Sequence, residues 1–232
     1  MHMVLSRNIV KKKMNNRKAI IFDMGGVLVD LDMQGCRDAF KRILSYEKID
    51  ELLDPCHQKG IIGDLEGGVL TADEFRQAVL SESAPGSAPE DVDKAFWHIL
   101  HSIAPYKAEL LVKMSKDYDL YMLSNNNGIT MVRAYQMFAE VGAPIDETFK
   151  KCFLSYQMKA LKPSEAFYKQ VVEQIGLPED MMLFIDDSKA NVDGSNAAGL
   201  PAVHYVPGTD LSALLADVLE DESLRMEGVA NA

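Results

Sequence analysis

The sequence predicts an α/β protein: a parallel sheet flanked by helices, with a helical segment inserted after the first strand. Three observations carry this. Four short apolar runs, Ala19–Phe22, Leu120–Leu123, Met182–Ile185 and Ala202–Tyr205, read as buried strands, and Cys152–Leu154 reads as a weaker fifth. Helix-like stretches lie between them, at Tyr106–Lys116, Ser164–Ile175 and Ser188–Ala198, and strands alternating with helices build βαβ units. The runs are also apolar throughout rather than alternating, as expected of strands covered by helices on both faces.

The alternation breaks once. From about Met33 to His101 there is no strand pattern, and helical patterns at Arg37–Ser45 and Thr71–Ser81 take its place. Thr71-Ala72-Asp73-Glu74 reads as a capping box at the head of the second. Pro85-Gly86-Ser87-Ala88-Pro89 reads as a loop between helices. The expected organisation is a disordered basic extension at 1–17, a core of 18–32 and 102–232, and a helical insertion at 33–101. An insertion at the carboxyl end of a strand lies over the ligand crevice of an open α/β sheet.

Composition narrows the function classes. The 232 residues are 47% hydrophobic and 25% charged, ordinary for a globular protein. No run reaches the 18 or so apolar residues of a membrane helix, so no membrane partner is expected. The net charge of −11 is uneven: residues 1–18 hold six basic residues and no acidic ones, leaving 18 basic against 35 acidic residues in the remainder. Such a body lacks the cationic footprint that nucleic acid requires. It also repels phosphate, unless a metal and a local lysine reverse the field at one site. The basic stretch reads as a solvated extension, and no apolar segment follows it as a secretory signal would need. Cys36, Cys56 and Cys152 are odd in number and widely spaced, which indicates neither a disulfide framework nor a zinc site and fits a reducing cytoplasm. Oligomeric state is not readable, with a monomer as the default.

Four elements carry chemistry, each at the end of a predicted strand or the mouth of a helix. Asp23 closes the first strand, and Gly25 and Gly26 follow, letting the backbone turn tightly so that a carbonyl can approach a ligand. Read alone, Asp23 is equally an acidic residue opening a turn. Ser124-Asn125-Asn126-Asn127 follows the second strand and offers a hydroxyl, amides and a helix start to a phosphate, or simply a helix cap. Lys162-Pro163 places a lysine in a constrained loop, where it pins an anion or stands as a solvated surface residue. Asp186-Asp187 closes the third strong strand; adjacent carboxylates suit a hard cation, although one of them could cap the next helix. In a parallel sheet all carboxyl ends share one edge, so the four elements converge.

In this order the elements resemble the haloacid dehalogenase (HAD) superfamily, from about Lys18 to Pro207. Phe22-Asp23-Met24-Gly25-Gly26-Val27-Leu28 is similar to its first motif, Leu123-Ser124-Asn125 to its second, Lys162-Pro163 to its third and Phe184-Ile185-Asp186-Asp187 to its fourth. The glycine after Asp-x is similar to bacterial sugar-phosphate phosphatases of the α-D-glucose-1-phosphatase type. The resemblance implies a Rossmann-like core with residues 33–101 as a helical cap. It implies a Mg²⁺-dependent phosphohydrolase acting on a small phosphorylated metabolite such as a sugar 1-phosphate. Asp23 would be the nucleophile and form an aspartyl-phosphate. Mg²⁺ would be held by Asp23, the Gly25 backbone carbonyl, Asp187 and, directly or through water, Asp186. Ser124 and Asn125 would bind the phosphoryl oxygens, Lys162 would neutralise charge on Asp23 and the phosphoryl group, and Asn191 would tie the fourth motif together.

One departure from the pattern matters. The family's second aspartate, two residues after the nucleophile, protonates the leaving oxygen; here that position is Gly25. General acid–base help is worth about 10²–10⁴-fold. Either the substrate has a good leaving group, or the cap, Asp30, Asp32 or water supplies the proton, or the protein binds phosphosugars without turning them over. Asp30 and Asp32 read rather as caps of the helix beginning near Met33. A haloacid dehalogenase is the alternative enzyme, but the Asp186-Asp187 pair beside an anionic substrate argues for a cation. Trp97 reads as packing, and His57, His98 and His101 have no assigned role.

Overall fold

The computed structural model describes residues 17–53, 60–227 and 229. The basic stretch up to residue 16, Cys56 and His57 lie outside the described residues. A five-stranded, fully parallel sheet forms the body, with strand order β5-β4-β1-β6-β7. Its strands are β1 (Ala19–Phe22), β4 (Asp119–Ser124), β5 (Lys151–Leu154), β6 (Met182–Asp186) and β7 (Ala202–His204). All five runs expected from sequence are strands, including the weak one at Cys152.

Alternation of side chains across the sheet explains why these runs are apolar throughout. Ile20 and Phe22 of β1 enter one buried cluster with Leu28, Leu111 and Phe138. Ala19 and Ile21 enter the cluster on the opposite face with Phe153, Tyr168 and Phe184. Every residue of β1 is fully buried, so each face needs its own layer of helices. The register then fixes the edge where function sits. Phe22 pairs with Met122 on one side and Ile185 on the other. The next residue on β1, Asp23, is thereby level with Asp186 and close to Ser124.

The inserted segment has a core of its own. Helices Met33–Leu44, Ala72–Leu80 and Pro89–Trp97 enclose Phe40, Phe75 and Phe96, with Phe75 stacked on Phe96 at 5.6 Å between ring centroids. The first helix begins at Met33, ahead of the Arg37–Ser45 pattern and where a capping Asp32 would start it: Asp32 Oδ1 accepts from the Gly35 N–H at 2.7 Å. The box at Thr71 forms in full: its side chain accepts from the Glu74 N–H, and the Glu74 carboxylate accepts from the Thr71 N–H. Two short antiparallel strands, β2 (Asp30–Leu31) and β3 (Leu100–Ser102), join insertion to body. The sequence pattern misses them because strands of two and three residues show no periodicity. Among the described residues no helix is long and apolar enough to cross a membrane.

Candidate active site

The site lies where the carboxyl ends of β1, β4 and β6 meet. Asp23 follows β1, and its backbone N–H donates to the Ile185 carbonyl at 2.9 Å, prolonging the β1–β6 ladder by one residue. Its carboxylate accepts from the Met24 N–H at 2.7 Å, which fixes the rotamer. The chain then reverses: the N–H groups of Leu28 and Val29 both donate to the Met24 carbonyl. At Gly26 φ is +74°, and a Cβ there would stand 2.1 Å from Asp187 Oδ2. Left-handed backbone and close approach together require glycine.

Lys162 is a buried lysine with only 5% of its surface exposed. Its ammonium lies 2.9 Å from Asp23 Oδ2 and 2.7 Å from Asp186 Oδ2. The side chain of Asn125 holds it there, donating to the Lys162 carbonyl at 3.1 Å and accepting from the Lys162 N–H at 2.8 Å. Pro163 sits in the turn before the helix Glu165–Ile175. The constraint on Lys162 comes from Asn125 across the sheet edge.

The two aspartates of the fourth element divide. Asp186 is fully buried, and its carboxylate accepts from Lys162, from the Ser188 N–H at 2.8 Å and from Asn191 Nδ2 at 3.0 and 3.2 Å. That set occupies both oxygens. Asp187 is half-buried and lines the cavity, leaving its carboxylate the more open of the two. Ser124 is buried at the cavity wall. The helix-cap role in its segment falls to Asn127, whose side chain accepts from the N–H groups of Ile129 and Thr130, both at 3.0 Å.

Carboxylate oxygens of Asp23, Asp186 and Asp187 lie within 4.8 Å of one another. Lys162 is the ammonium that pairs with Asp23 and Asp186, leaving about two negative charges over when all three carboxyls ionise. Burial pushes the Asp23 carboxyl up to about 7; Lys162 pulls it down, while Asp186 and Asp187 raise it further. Asp187 is raised for the same reasons, burial first and then Asp186. Burial alone would strip Lys162 of its proton, but Asp186 and Asp23 outweigh it and hold the ammonium charged. A cluster of hard oxygen ligands with this surplus charge fits a divalent cation of the Mg²⁺ type.

The cavity over this cluster measures about 640 Å³. Its floor includes Asp23, Gly25, Ser124, Asn125 and Lys162, and its roof comes from the insertion, including Gly63, Glu66 and Phe96. Glu66 is an acidic cavity residue with no role assigned from sequence. Its signal is faint: a glutamate before Gly67-Gly68, at the end of a helix. Neither aspartate of the β2 region lines this cavity. Asp30 pairs with the buried Lys107 at 3.2 Å and accepts from Ser102 Oγ at 3.0 Å, and Asp32 is the helix cap. Trp97 donates its indole N–H to the Ile129 carbonyl at 2.9 Å, tying insertion to body. His98 and His101 border a separate cavity.

Residues 17–199 match the family model described as haloacid dehalogenase-like hydrolase. The D-ribitol-5-phosphate phosphatase of Bacteroides thetaiotaomicron is 30% identical over 203 residues, covering 87% of this chain and 98% of that protein. A HAD family enzyme from Bacteroides thetaiotaomicron, solved in complex with magnesium and inorganic phosphate, superposes with a TM-score of 0.77 at 31% identity, over 85% of this chain and 98% of that one. A predicted HAD-like family hydrolase from Porphyromonas gingivalis gives a TM-score of 0.80 at 29% identity, over 89% and 99% of the two chains.

Proposed function

The chain belongs to the haloacid dehalogenase-like hydrolase family, and from that premise we propose that it is a Mg²⁺-dependent phosphatase of a small phosphorylated sugar or polyol. One observation carries the reading: a buried aspartate and lysine in contact at a strand end, with Asp186 and Asp187 completing a three-carboxylate cluster under a cavity. The relative that dephosphorylates ribitol 5-phosphate and the neighbour holding magnesium and phosphate support it.

Each residue has a role that its surroundings suit. Asp23 attacks phosphorus and carries the phosphoryl group as an aspartyl-phosphate. Lys162 offsets the repulsion between that carboxylate and the incoming phosphate, and Asn125 keeps it in place. Ser124 and the Asn125 backbone face the phosphoryl oxygens. Asp23, Asp187 and the Gly25 carbonyl would hold Mg²⁺, while Asp186, saturated by Lys162, Ser188 and Asn191, acts by orienting them. Bound there, Mg²⁺ supplies neutralising charge to the phosphoryl oxygens. Residues 33–101 serve as the cap that roofs the cavity. Its size suits a small metabolite. The free thiols of Cys36 and Cys152 support a reducing, cytoplasmic location.

The test is phosphate release from a panel of sugar, polyol and aryl phosphoesters, with and without EDTA, alongside Asp23→Asn. Turnover should require Mg²⁺ and vanish in the variant. Turnover on no panel member, or an unaffected Asp23→Asn enzyme, would defeat the reading; halide release from 2-haloacids insensitive to EDTA would replace it with a dehalogenase.

A further inference from the structure

Gly25 leaves the nucleophile without a neighbouring proton donor, and the insertion offers one. Helix Gly60–Glu66 ends over the site, and Glu66 lines the same cavity as Asp23 and Lys162. Two contacts hold that helix end against the body. Ser155 Oγ donates to the Glu66 carbonyl at 2.6 Å and also accepts from the Asn126 N–H at 2.9 Å, so one hydroxyl joins the insertion to the loop after β4. Gly68 has φ +69°, and a Cβ there would lie 2.3 Å from the Tyr156 carbonyl oxygen, so the turn after Glu66 packs directly on body backbone. The turn that carries Glu66 is therefore held against the body at Ser155 and Tyr156. The Glu66 carboxyl makes no hydrogen bond or ion pair among the described residues and, half-buried at the cavity wall, is open to a ligand there.

We propose that Glu66 is the general acid–base of this enzyme, in place of the aspartate that Gly25 omits; the proposal rests on the phosphatase reading above. As Asp23 Oδ bonds to phosphorus, the bond from phosphorus to the ester oxygen breaks, and the Glu66 carboxyl proton passes to that oxygen, releasing an alcohol. The Glu66 carboxylate then takes a proton from water as the water oxygen attacks the aspartyl-phosphate. That step frees phosphate and the Asp23 carboxylate and returns Glu66 to its starting form. The charges around it favour this cycle. Burial, and then the Asp23 carboxylate, raise the Glu66 carboxyl well above the usual carboxylate range against the pull of Lys162, which favours its protonated form.

The role also separates substrates. A primary alkoxide, as in a polyol 5-phosphate, leaves poorly without a proton, whereas an aryl oxide leaves unaided. The experiment compares kcat/KM, which reports the leaving-group step, for the alkyl phosphoester turned over fastest in the panel with kcat/KM for p-nitrophenyl phosphate. Glu66→Gln, which keeps the shape and loses the proton, should cut kcat/KM on the alkyl ester by about 10²–10⁴-fold and on the aryl ester by less than about tenfold. It should also remove the alkaline fall of kcat. Adding Gly25→Asp to Glu66→Gln should restore at least about tenfold of the alkyl rate; the nearest group to the new Cβ would be the Leu31 side chain, at 3.0 Å. Equal losses on both esters, or a change confined to KM, would overturn the assignment and mark Glu66 as structural or as a contact to substrate hydroxyls. If Glu66→Gln fails to fold, the wild type decides alone: kcat/KM nearly independent of leaving-group pKa supports an acid, and a steep dependence refutes it. Failure of the phosphatase reading looks different, since then the wild type turns over neither ester.

Discussion

Replacing Lys162 with methionine isolates the charge balance of the site. The ammonium lies 2.9 Å from one carboxylate and 2.7 Å from another. At an effective dielectric of about 20, each contact is worth about 6 kcal/mol in gross attraction. Burying the ammonium returns several kcal/mol of that as lost hydration. Removing one partner of such a pair leaves buried charge uncompensated and costs about 3–5 kcal/mol. For a chain of this size that is a fall in Tm of about 6–20 °C. The loss depends on pH. Asp23 already sits high, at about 7, and without Lys162 it rises further. A folded-state pKa above the unfolded one means that stability falls as pH climbs between the two. Lys162→Met should therefore show its full deficit at pH 8 and a smaller one at pH 5, where carboxyl protons replace the missing cation. The assay is urea unfolding of both proteins at the two pH values in EDTA, repeated with excess Mg²⁺, which should recover part of the pH 8 deficit. Activity should fall about 10²–10³-fold, as when an electrostatic stabiliser of a transition state is removed. Equal stability of variant and wild type at pH 8, or kcat/KM within about tenfold, would refute the charge argument.

Three further outcomes follow from named contacts. Gly26→Ala forces a Cβ into the Asp187 carboxylate and strains a left-handed residue, so it should displace Asp187, abolish stabilisation by Mg²⁺ in thermal melts and lower kcat/KM about 10²-fold. Asp30→Asn should destabilise the protein, because buried Lys107 loses its carboxylate, yet leave kcat on alkyl phosphoesters unchanged; a large kcat loss would make Asp30 a proton donor after all. Glu66 has a folded-state pKa of about 8 against an ordinary 4.5, so its ionisation costs stability progressively as pH rises across that range. Metal-free wild type should then lose about 2 kcal/mol relative to Glu66→Gln between pH 5 and pH 8, less than the full shift because the carboxyl is only half-buried. Parallel curves for the two proteins would show that Glu66 is no harder to ionise than a surface glutamate.

The sheet was legible in the sequence because burial on both faces leaves no alternative to continuous apolar runs, and Ala19–Phe22 is the plainest case. The site's floor was legible for a related reason: a charged or amide residue directly after such a run has nowhere to be but the sheet edge. Asp23, Ser124 and Asp186 all follow that rule. What was not legible depends on contacts between distant segments. The division of labour between Asp186 and Asp187 turns on which carboxylate reaches Lys162 and Asn191, and adjacency in sequence says nothing about that. Asn125 read as a phosphate ligand or a cap, and its grip on the Lys162 backbone needed the β4 edge and the turn before Glu165 to be adjacent in space. Glu66 was hidden because helix and turn place it through Ser155 and Tyr156, nearly 90 residues away, and no local pattern encodes that docking.

The two halves of the site carry opposite electrostatic demands, and this explains why they sit on different parts of the fold. Attack requires Asp23 to be ionised in a buried place, so it is surrounded by a cation, a metal-ready cluster and a rigid sheet whose ladder reaches its own N–H. Protonation of the leaving group requires a second carboxyl nearby that keeps its proton. A side chain at position 25 would share the field of Lys162 and of any bound cation, and both favour its ionised form. A carboxyl on the insertion lines the roof of the same cavity, where burial first and then the Asp23 charge raise it against the pull of Lys162. Moving the acid from the strand end to the roof also makes proton delivery conditional on the Ser155 and Gly68 contacts that seat the insertion. Loosening that seat, for instance by Ser155→Ala, should thus depress alkyl-ester turnover more than aryl-ester turnover while leaving the Lys162 pairs intact.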